Sequence, residues 1–314
     1  MSRSFLLFGF ILYSVFLSSL ANASDIDLSA PMDKGGWKLI WSEEFDYTGF
    51  PDSTKWSYDT EGNVYQWGNN EAQYYTSGRK ENAWVSDGVL RITALKEPME
   101  GRSYTSARLI TKGKGDWLYG RFEIRAKLPT GRGTWPAIWM LPTDWEYGDW
   151  PKSGEIDIME NKGYQPNIVS SALHFPGHSG GNPITQTFGY ENQRFDTDFH
   201  IFAVEWDESQ IDFFVDNVLY KRVKAADVTD GEWVFDHPFF IILNVAVGGT
   251  FGGDPTADTV FPQSMYVDYV RVYQKSTEVQ PGTNTGDISS NGSIPGWDFN
   301  GPDSDKGLIE PELK

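Results

Sequence analysis

The sequence contains no cysteine in its 314 residues, so no disulfide bond can hold the protein together. Stability must come from a hydrophobic core instead. The part of the chain that carries strand-forming patterns is roughly 240 residues long, which is enough to bury such a core. We therefore expect a fold that stands without covalent cross-links.

Basic residues are fewer than acidic ones. The chain has 26 Lys and Arg against 44 Asp and Glu, which gives a net charge of −18 at pH 7. This balance disfavours nucleic acids, anionic lipids and sulfated polysaccharides as partners, whereas a neutral polymer is indifferent to it. Aromatic residues are abundant, with 13 Trp, 15 Tyr and 20 Phe, and they suit stacking on the apolar faces of sugar rings.

No long apolar run follows the first 23 residues. Arg3, the mostly apolar segment 5–20 and the small residues of Ala21-Asn22-Ala23 have the order of a secretory signal peptide. A membrane anchor is the alternative, but serines interrupt the apolar segment. We therefore predict that residues 1–23 are removed on export, to the periplasm or the medium, and that the mature protein does not enter a membrane.

Long amphipathic helices are also lacking, and strand patterns dominate. Within residues 122–128 apolar and charged residues alternate, which predicts apolar side chains inward and charged ones outward. Asp216-Asn217, between two strand-like segments, predicts a hairpin turn. Residues 276–314 are acidic and rich in Gly, Pro and Ser, which predicts a flexible tail after a domain at 33–275. Together the patterns indicate two packed antiparallel sheets. The predicted strands are 89–96, 119–128, 168–175, 199–206, 210–215, 239–247 and 266–274.

The segment Glu155–Glu160 places three carboxylates in an otherwise apolar strand pattern. Buried charge is costly unless it is paired or used. Strand alternation puts Glu155 and Asp157 on one face, but Glu160 on the other. A β-bulge near Met159 would return Glu160 to the face of Glu155. We therefore predict three acids over one groove; the alternative is a strand edge with solvated acids.

This segment resembles the catalytic signature of glycoside hydrolase family 16, in the bulged form of its laminarinase-type β-1,3-glucanases. The resemblance extends over residues 36–274 and implies an all-β jelly-roll sandwich of two antiparallel sheets with a concave substrate cleft. It also implies a secreted endo-β-1,3-glucanase that acts on β-glucan with retention and needs no cofactor for catalysis. The matching segments are residues 41–46, 106–110, 119–127, 134–142, 153–161 and 267–273.

Retaining hydrolysis requires a carboxylate nucleophile and a carboxylic acid roughly 5–5.5 Å apart. The resemblance implies Glu155 as the nucleophile and Glu160 as the general acid/base. Asp157, between them, is expected to hydrogen-bond the nucleophile and to tune the titration of the pair.

The resemblance also implies substrate contacts outside the acids. Aromatic platforms are expected at Trp135, Trp139 and Trp150, each with core packing as the alternative. Trp150 is the strongest candidate because it lies in a loop. Other expected contacts are Asn70 and Glu71, where the alternative is an ordinary polar turn, and His174, near the acid/base. A zinc site at His174 and His178 lacks a third ligand nearby in sequence.

Family members often hold a structural calcium ion on the sandwich face away from the cleft, through backbone oxygens and one aspartate. The matching positions here are Glu44, Gly88 and Asp268, and ligation by oxygen alone suits Ca²⁺.

Two alternatives to a β-1,3-glucanase remain at the level of sequence. The same fold hydrolyses mixed-linkage β-1,3-1,4-glucan or galactans such as agarose. In another class, a β-glucan-binding lectin on this scaffold would be expected to lack the acids, whereas this chain has all three. We expect a monomer.

Overall fold

The computed structural model describes residues 36–275. The predicted signal peptide (1–23), the start of the predicted domain at 33 and the predicted tail (276–314) lie outside the described residues. The strands are β1 (Trp37–Glu43), β2 (Ser57–Tyr58), β3 (Gln73–Tyr75), β4 (Ala83–Ser86), β5 (Val89–Ala94), β6 (Tyr104–Ser106), β7 (Arg108–Ile110), β8 (Asp116–Trp117), β9 (Gly120–Lys127), β10 (Thr134–Pro142), β11 (Glu155–Glu160), β12 (Ile168–His174), β13 (Ile184–Gly189), β14 (His200–Trp206), β15 (Gln210–Val215), β16 (Val218–Lys224), β17 (Phe239–Val247) and β18 (Gln263–Lys275).

Two antiparallel sheets of eight strands each account for most of these elements. The first sheet has the order β16-β15-β14-β9-β18-β5-β4, with β1 also paired to β18. The second has the order β13-β12-β11-β10-β17-β7-β2, with β8 also paired to β17. A small parallel pair, β3 and β6, lies outside both sheets. The predicted all-β sandwich is confirmed.

Helical structure within residues 36–275 is confined to short segments: 3₁₀ turns at Glu61–Gly68 and Ala225–Asp227, and an α-helical turn at Gly249–Gly252. Among the described residues, none of these is long and apolar enough to cross a bilayer.

The hydrophobic core fills the space between the sheets. Phe122 and Trp206 of the first sheet pack together with ring centroids 6.3 Å apart, and Trp206 meets Phe239 of the second sheet at 5.3 Å. All three side chains are buried. Each large apolar side chain buried in this way contributes about 1.5–3 kcal/mol of transfer free energy. This packing replaces the missing disulfides.

Alternation along β9 is as predicted for its apolar residues but not for all its charged ones. Phe122 faces the core, as expected, while Glu123 on the opposite face is also buried. Tyr269 donates a hydrogen bond of 2.8 Å to Glu123, and Arg121 pairs with it at 3.0 Å. The expectation that charged residues of this strand point to solvent is wrong at Glu123, because an arginine and a tyrosine cover it.

The predicted hairpin turn joins β15 and β16. Asp216 and Asn217 both have positive φ, at 48° and 66°, which fits a two-residue turn between twisted strands. The Asp216 carboxylate accepts hydrogen bonds from the Ile201 amide at 2.8 Å, from Tyr190 Oη at 2.9 Å and from His200 Nδ1 at 2.7 Å. The turn is thereby tied to the neighbouring strand β14.

Candidate active site

Strand β11 carries the predicted bulge. Its pairing with β10 joins Met159 to Ile138 and Asp157 to Trp139, so Ile158 has no partner across the ladder. The pairing with β12 shifts between Asp157 and Glu160 as well. Ile158 and Met159 both belong to the buried core. Two consecutive core residues require the extra residue, and Glu160 consequently returns to the side of the other acids.

Burial dominates the electrostatics of the three acids. Asp157 is 3% exposed, and Glu155 and Glu160 are largely covered. Desolvation raises the pKa of Glu155, and the charge of Asp157 raises it further. Desolvation and the charge of Glu155 likewise raise the pKa of Glu160. Desolvation and the charge of Glu160 raise the pKa of Asp157. The hydrogen bond expected between Asp157 and Glu155 stays a prediction, because it needs a proton on one of the two carboxyl groups.

Glu155 and Glu160, the two outer acids, each accept a hydrogen bond from a different tryptophan. Trp150 donates from Nε1 to Glu155 Oε2 at 2.8 Å, and Trp135 donates from Nε1 to Glu160 Oε1 at 3.0 Å. A donor favours the ionised carboxylate, so these bonds lower the pKa of Glu155 and of Glu160 against the effect of burial. The sequence predicts both residues as stacking platforms but carries no signal for these hydrogen bonds. Trp150 remains 45% exposed.

His174 lies directly opposite Glu155 in the pairing of β11 and β12. Its Nε2 is 3.3 Å from Asp157 Oδ2 and 3.9 Å from Glu155 Oε1. Its Nδ1 accepts a hydrogen bond of 3.2 Å from the Gly180 amide, so the neutral ring carries its proton on Nε2, facing the acids. His178 does not join it, because it contacts Asp230 at 2.9 Å.

Donor atoms of Glu155, Asp157 and His174 all lie within 4.8 Å of one another, close enough to hold a cation. Hydrolysis by a pair of carboxyl groups does not require one. Catalysis without a metal stays a prediction.

Trp139 lies beside the acids on β10 and is fixed by two partners. Its Nε1 donates to Asn244 Oδ1 at 2.7 Å. The guanidinium carbon of Arg108 lies 4.6 Å from the ring of Trp139 and 4.3 Å from that of Trp67. Arg108 therefore bridges two indoles by cation–π contact. Sequence reasoning did not single out Arg108, Trp67 or Asn244, because the contact joins four distant parts of the chain.

Asn70 and Glu71, the two sugar contacts predicted after the Glu61–Gly68 turn, differ in their exposure to solvent. Asn70 is exposed, with a left-handed backbone at φ 58°. Glu71 is only 5% exposed, and its carboxylate accepts hydrogen bonds from Gln73 at 2.5 Å and from Asn69 at 3.3 Å. Desolvation raises the pKa of Glu71. Sugar contact by either residue stays a prediction, and the geometry of Glu71 favours a role in shaping the segment.

The predicted calcium positions lie beside the middle of β18, where β1 ends and β5 begins. Asp268 is the bulged residue of β18, flanked by the pairs Val267–Leu90 and Val270–Glu43. Glu44 follows β1 and Gly88 precedes β5, so both flank this bulge.

Two side-chain contacts limit which oxygens a cation could use here. The Glu44 carboxylate is held by Arg271 at 2.8 Å, and Asp268 Oδ2 by Arg125 at 2.6 Å. The donors that remain are backbone carbonyls and Asp268 Oδ1. Donors of these kinds are what the resemblance implies for Ca²⁺, and calcium binding here stays a prediction.

Comparison with known proteins agrees with this geometry. Residues 67–271 match the family described as glycosyl hydrolases family 16. The chain belongs to this family. Its members are retaining glycoside hydrolases, so the family 16 chain is an enzyme of that class.

Individual relatives cover most of this family 16 chain. The beta-glucanase of Rhodothermus marinus is 50% identical over 273 residues, which cover 84% of this chain and 93% of the relative. The structure of the laminarinase from Rhodothermus marinus is 49% identical, with a TM-score of 0.71 over 76% of this chain and 97% of that one. The laminarinase catalytic domain from Thermotoga maritima is 46% identical, with a TM-score of 0.72 over 77% of this chain and 99% of that one.

Proposed function

We propose that this chain is an exported endo-β-1,3-glucanase in which Glu155 is the nucleophile and Glu160 the general acid/base. The observation that carries the proposal is the bulge in β11, which sets Glu160 on the same side of the strand as Glu155, with Asp157 between them. A retaining hydrolase needs this pairing of two carboxyl groups across one bond.

The proposed reaction has two steps. Glu155 attacks the anomeric carbon while Glu160 protonates the departing glycosidic oxygen, and a covalent glycosyl-enzyme forms. Glu160, now ionised, then takes a proton from water, which attacks the same carbon and releases Glu155. Both displacements invert the carbon, so the product keeps the β configuration.

The environment of the acids supports these roles. The raised pKa values keep a proton within the cluster near neutral pH, which a general acid requires. The hydrogen bond from Trp150 stabilises the ionised Glu155, the form that a nucleophile requires. Because the acids are coupled, their titration belongs to the cluster as a whole.

The substrate proposal rests on the surface beside the acids and on the relatives. The exposed ring of Trp150 offers a stacking platform for a neutral sugar, and the chain's negative charge disfavours polyanions. Two of the similar structures are named laminarinases. One relative is named only a beta-glucanase, which keeps mixed-linkage glucan as the second candidate substrate. A lectin without catalysis is disfavoured because all three acids are in place.

The proposal includes export and a free, monomeric mature enzyme. Support comes from the sequence of residues 1–23, which has the order of a signal peptide.

Product analysis tests the proposed function. The purified mature protein is incubated with laminarin, barley mixed-linkage glucan and agarose, beside the Glu155→Gln variant as a matched control. We expect short β-1,3 oligosaccharides from laminarin and at least a thousandfold loss in the variant, on the order of 4 kcal/mol of transition-state stabilisation. Release from agarose alone would refute the substrate proposal, and full activity of Glu155→Gln would refute the assignment of the nucleophile.

A further inference from the structure

The loop that carries Trp150, residues 144–153, is closed at its base by a histidine from another part of the chain. His237 lies just before β17 and is 5% exposed. Its Nδ1 is 2.7 Å from Asp144 Oδ1, at the start of the loop, and its Nε2 is 3.0 Å from the Ser153 carbonyl oxygen, at the end. One ring therefore bridges both ends of the Trp150 loop.

The two contacts use both ring nitrogens. A backbone carbonyl can only accept, so Nε2 carries a hydrogen, while Nδ1 pairs with the Asp144 carboxyl group. The ring is packed from two sides, by Tyr147 of the loop at 5.4 Å and by Phe239 of the core at 5.0 Å between centroids. The imidazole ring is thus largely shielded from water.

Hydrogen bonds inside the loop connect the His237 bridge to the residues beside the active site. Ser153 Oγ donates to the Gly148 carbonyl at 2.7 Å and accepts from the Tyr147 amide at 3.0 Å. Gly154 has φ +84°, and a Cβ there would lie 3.0 Å from Phe235 and 3.2 Å from Phe239, so the backbone approaches the segment of His237 closely. The next residue is Glu155, whose carboxylate receives the Trp150 hydrogen bond.

We propose that His237 is a positioning residue that staples the two ends of the Trp150 loop and thereby holds the indole of Trp150 on Glu155. Its catalytic consequence rests on the proposed function, in which Glu155 is the nucleophile. Without the staple, the loop ends separate, Trp150 leaves Glu155, and the pKa of Glu155 rises because it has lost a donor.

The first test measures the loop itself. Hydrogen exchange followed by mass spectrometry compares the wild-type enzyme with His237→Phe, which keeps the ring but removes both bonds. Tyr147→Phe is the matched control, since it removes a hydrogen bond of 2.7 Å to Asp236 from the same loop but leaves the staple. We expect faster exchange over residues 144–153 in His237→Phe and wild-type exchange in Tyr147→Phe. Unchanged exchange in His237→Phe would refute the staple.

Two further variants keep the test decisive if His237→Phe fails to fold. The Asp144 side chain is 41% exposed, so its replacement does not disturb the core. Asp144→Ala removes one arm of the staple, and we expect it to loosen the loop. Asp144→Asn supplies an amide that can donate to Nδ1 of a neutral ring, so we expect it to restore protection. Equal exchange in these two variants would refute the staple.

The second test measures the catalytic consequence. We expect His237→Phe to lose roughly 10- to 100-fold in kcat/KM and to move the acid limb of its pH profile upward. We also expect Trp150→Phe to cause the same shift, and the double variant to shift no further. A merely structural role predicts an unmoved pH profile. Failure of wild-type enzyme to cleave laminarin would refute the substrate proposal, while the exchange experiment would still decide the staple.

Discussion

At the scale of single residues, two indole N–H groups distinguish the outer acids of the active site. Trp150 Nε1 donates a hydrogen bond of 2.8 Å to Glu155, and Trp135 Nε1 donates one of 3.0 Å to Glu160. Each donor favours the charged form of its own acid, against the desolvation that favours the neutral form. The two acids can therefore be perturbed separately.

This pairing predicts that the two tryptophans act on different limbs of the pH profile of kcat/KM. Trp150→Phe removes the donor from Glu155, so the nucleophile ionises at higher pH and the acid limb moves upward. Trp135→Phe removes the donor from Glu160, so the general acid keeps its proton to higher pH and the alkaline limb moves upward. Each change should cost roughly tenfold in kcat/KM at the optimum, the worth of one hydrogen bond to a charged group. Interchanged limbs would mean that the roles of Glu155 and Glu160 are reversed.

Residue spacing predicts the acids but not their partners. Glu-x-Asp-x-x-Glu in an apolar strand implies the bulge, because strand periodicity is fixed by backbone geometry. The donors of Trp135 and Trp150 depend on side-chain rotamers, which no local pattern encodes. His237 is further from prediction, since it meets Asp144 across 93 residues of sequence.

At the scale of elements, the hairpin of β15 and β16 is fixed by one aspartate. Burial alone would raise the pKa of Asp216, but hydrogen bonds from His200, Ile201 and Tyr190 hold it below its usual value. A depressed carboxyl pKa contributes stability that is present at neutral pH and is lost as the pH falls through the folded-state pKa.

We expect Asp216→Asn to destabilise the protein by about 1–2 kcal/mol at pH 7. The new amide group must face a donor in either orientation, because three donors surround this side chain. Asp227→Asn is the matched control, since it makes the same change of charge at an exposed aspartate outside the turn. Urea unfolding at pH 7 and at pH 3.5 measures the difference, which should shrink at the lower pH. Equal stability of the wild-type protein and Asp216→Asn at pH 7 would contradict this account of the turn.

Long strands are predictable and short ones are not. All seven strands predicted from β-branched and aromatic patterns are present, with ends shifted by a few residues. Strands such as β2 and β8 have two residues each and contain no period to detect. They exist because longer neighbours, β7 and β17, offer them a pairing edge.

At the scale of the whole molecule, a sandwich without cysteine depends on its hydrophobic core and on contacts that join segments distant in sequence. The implied calcium site would join the end of β1, the turn before β5 and the bulge of β18. Those three segments are far apart in sequence, so a cation there would cross-link the first sheet as a disulfide does elsewhere.

Chelation tests this site. We expect EDTA to lower the melting temperature by several degrees, and Ca²⁺, but not Mg²⁺, to restore it, because a ligand that binds only the folded state stabilises it. Asp268→Ala should melt lower and no longer respond to Ca²⁺. A melting temperature that EDTA leaves unchanged would contradict the predicted calcium.

The central claim is the assignment of two roles to two glutamates, and azide rescue tests it most directly. Glu155→Ala and Glu160→Ala are each given a β-glucan oligosaccharide with an activated leaving group, in the presence of azide. If Glu155 is the nucleophile, its variant lets azide attack the substrate directly and yields the α-glycosyl azide. The Glu160→Ala variant still forms the glycosyl-enzyme, so azide attacks that intermediate and yields the β-glycosyl azide. Proton NMR of the anomeric centre distinguishes the two products, and the reverse pattern would contradict the account.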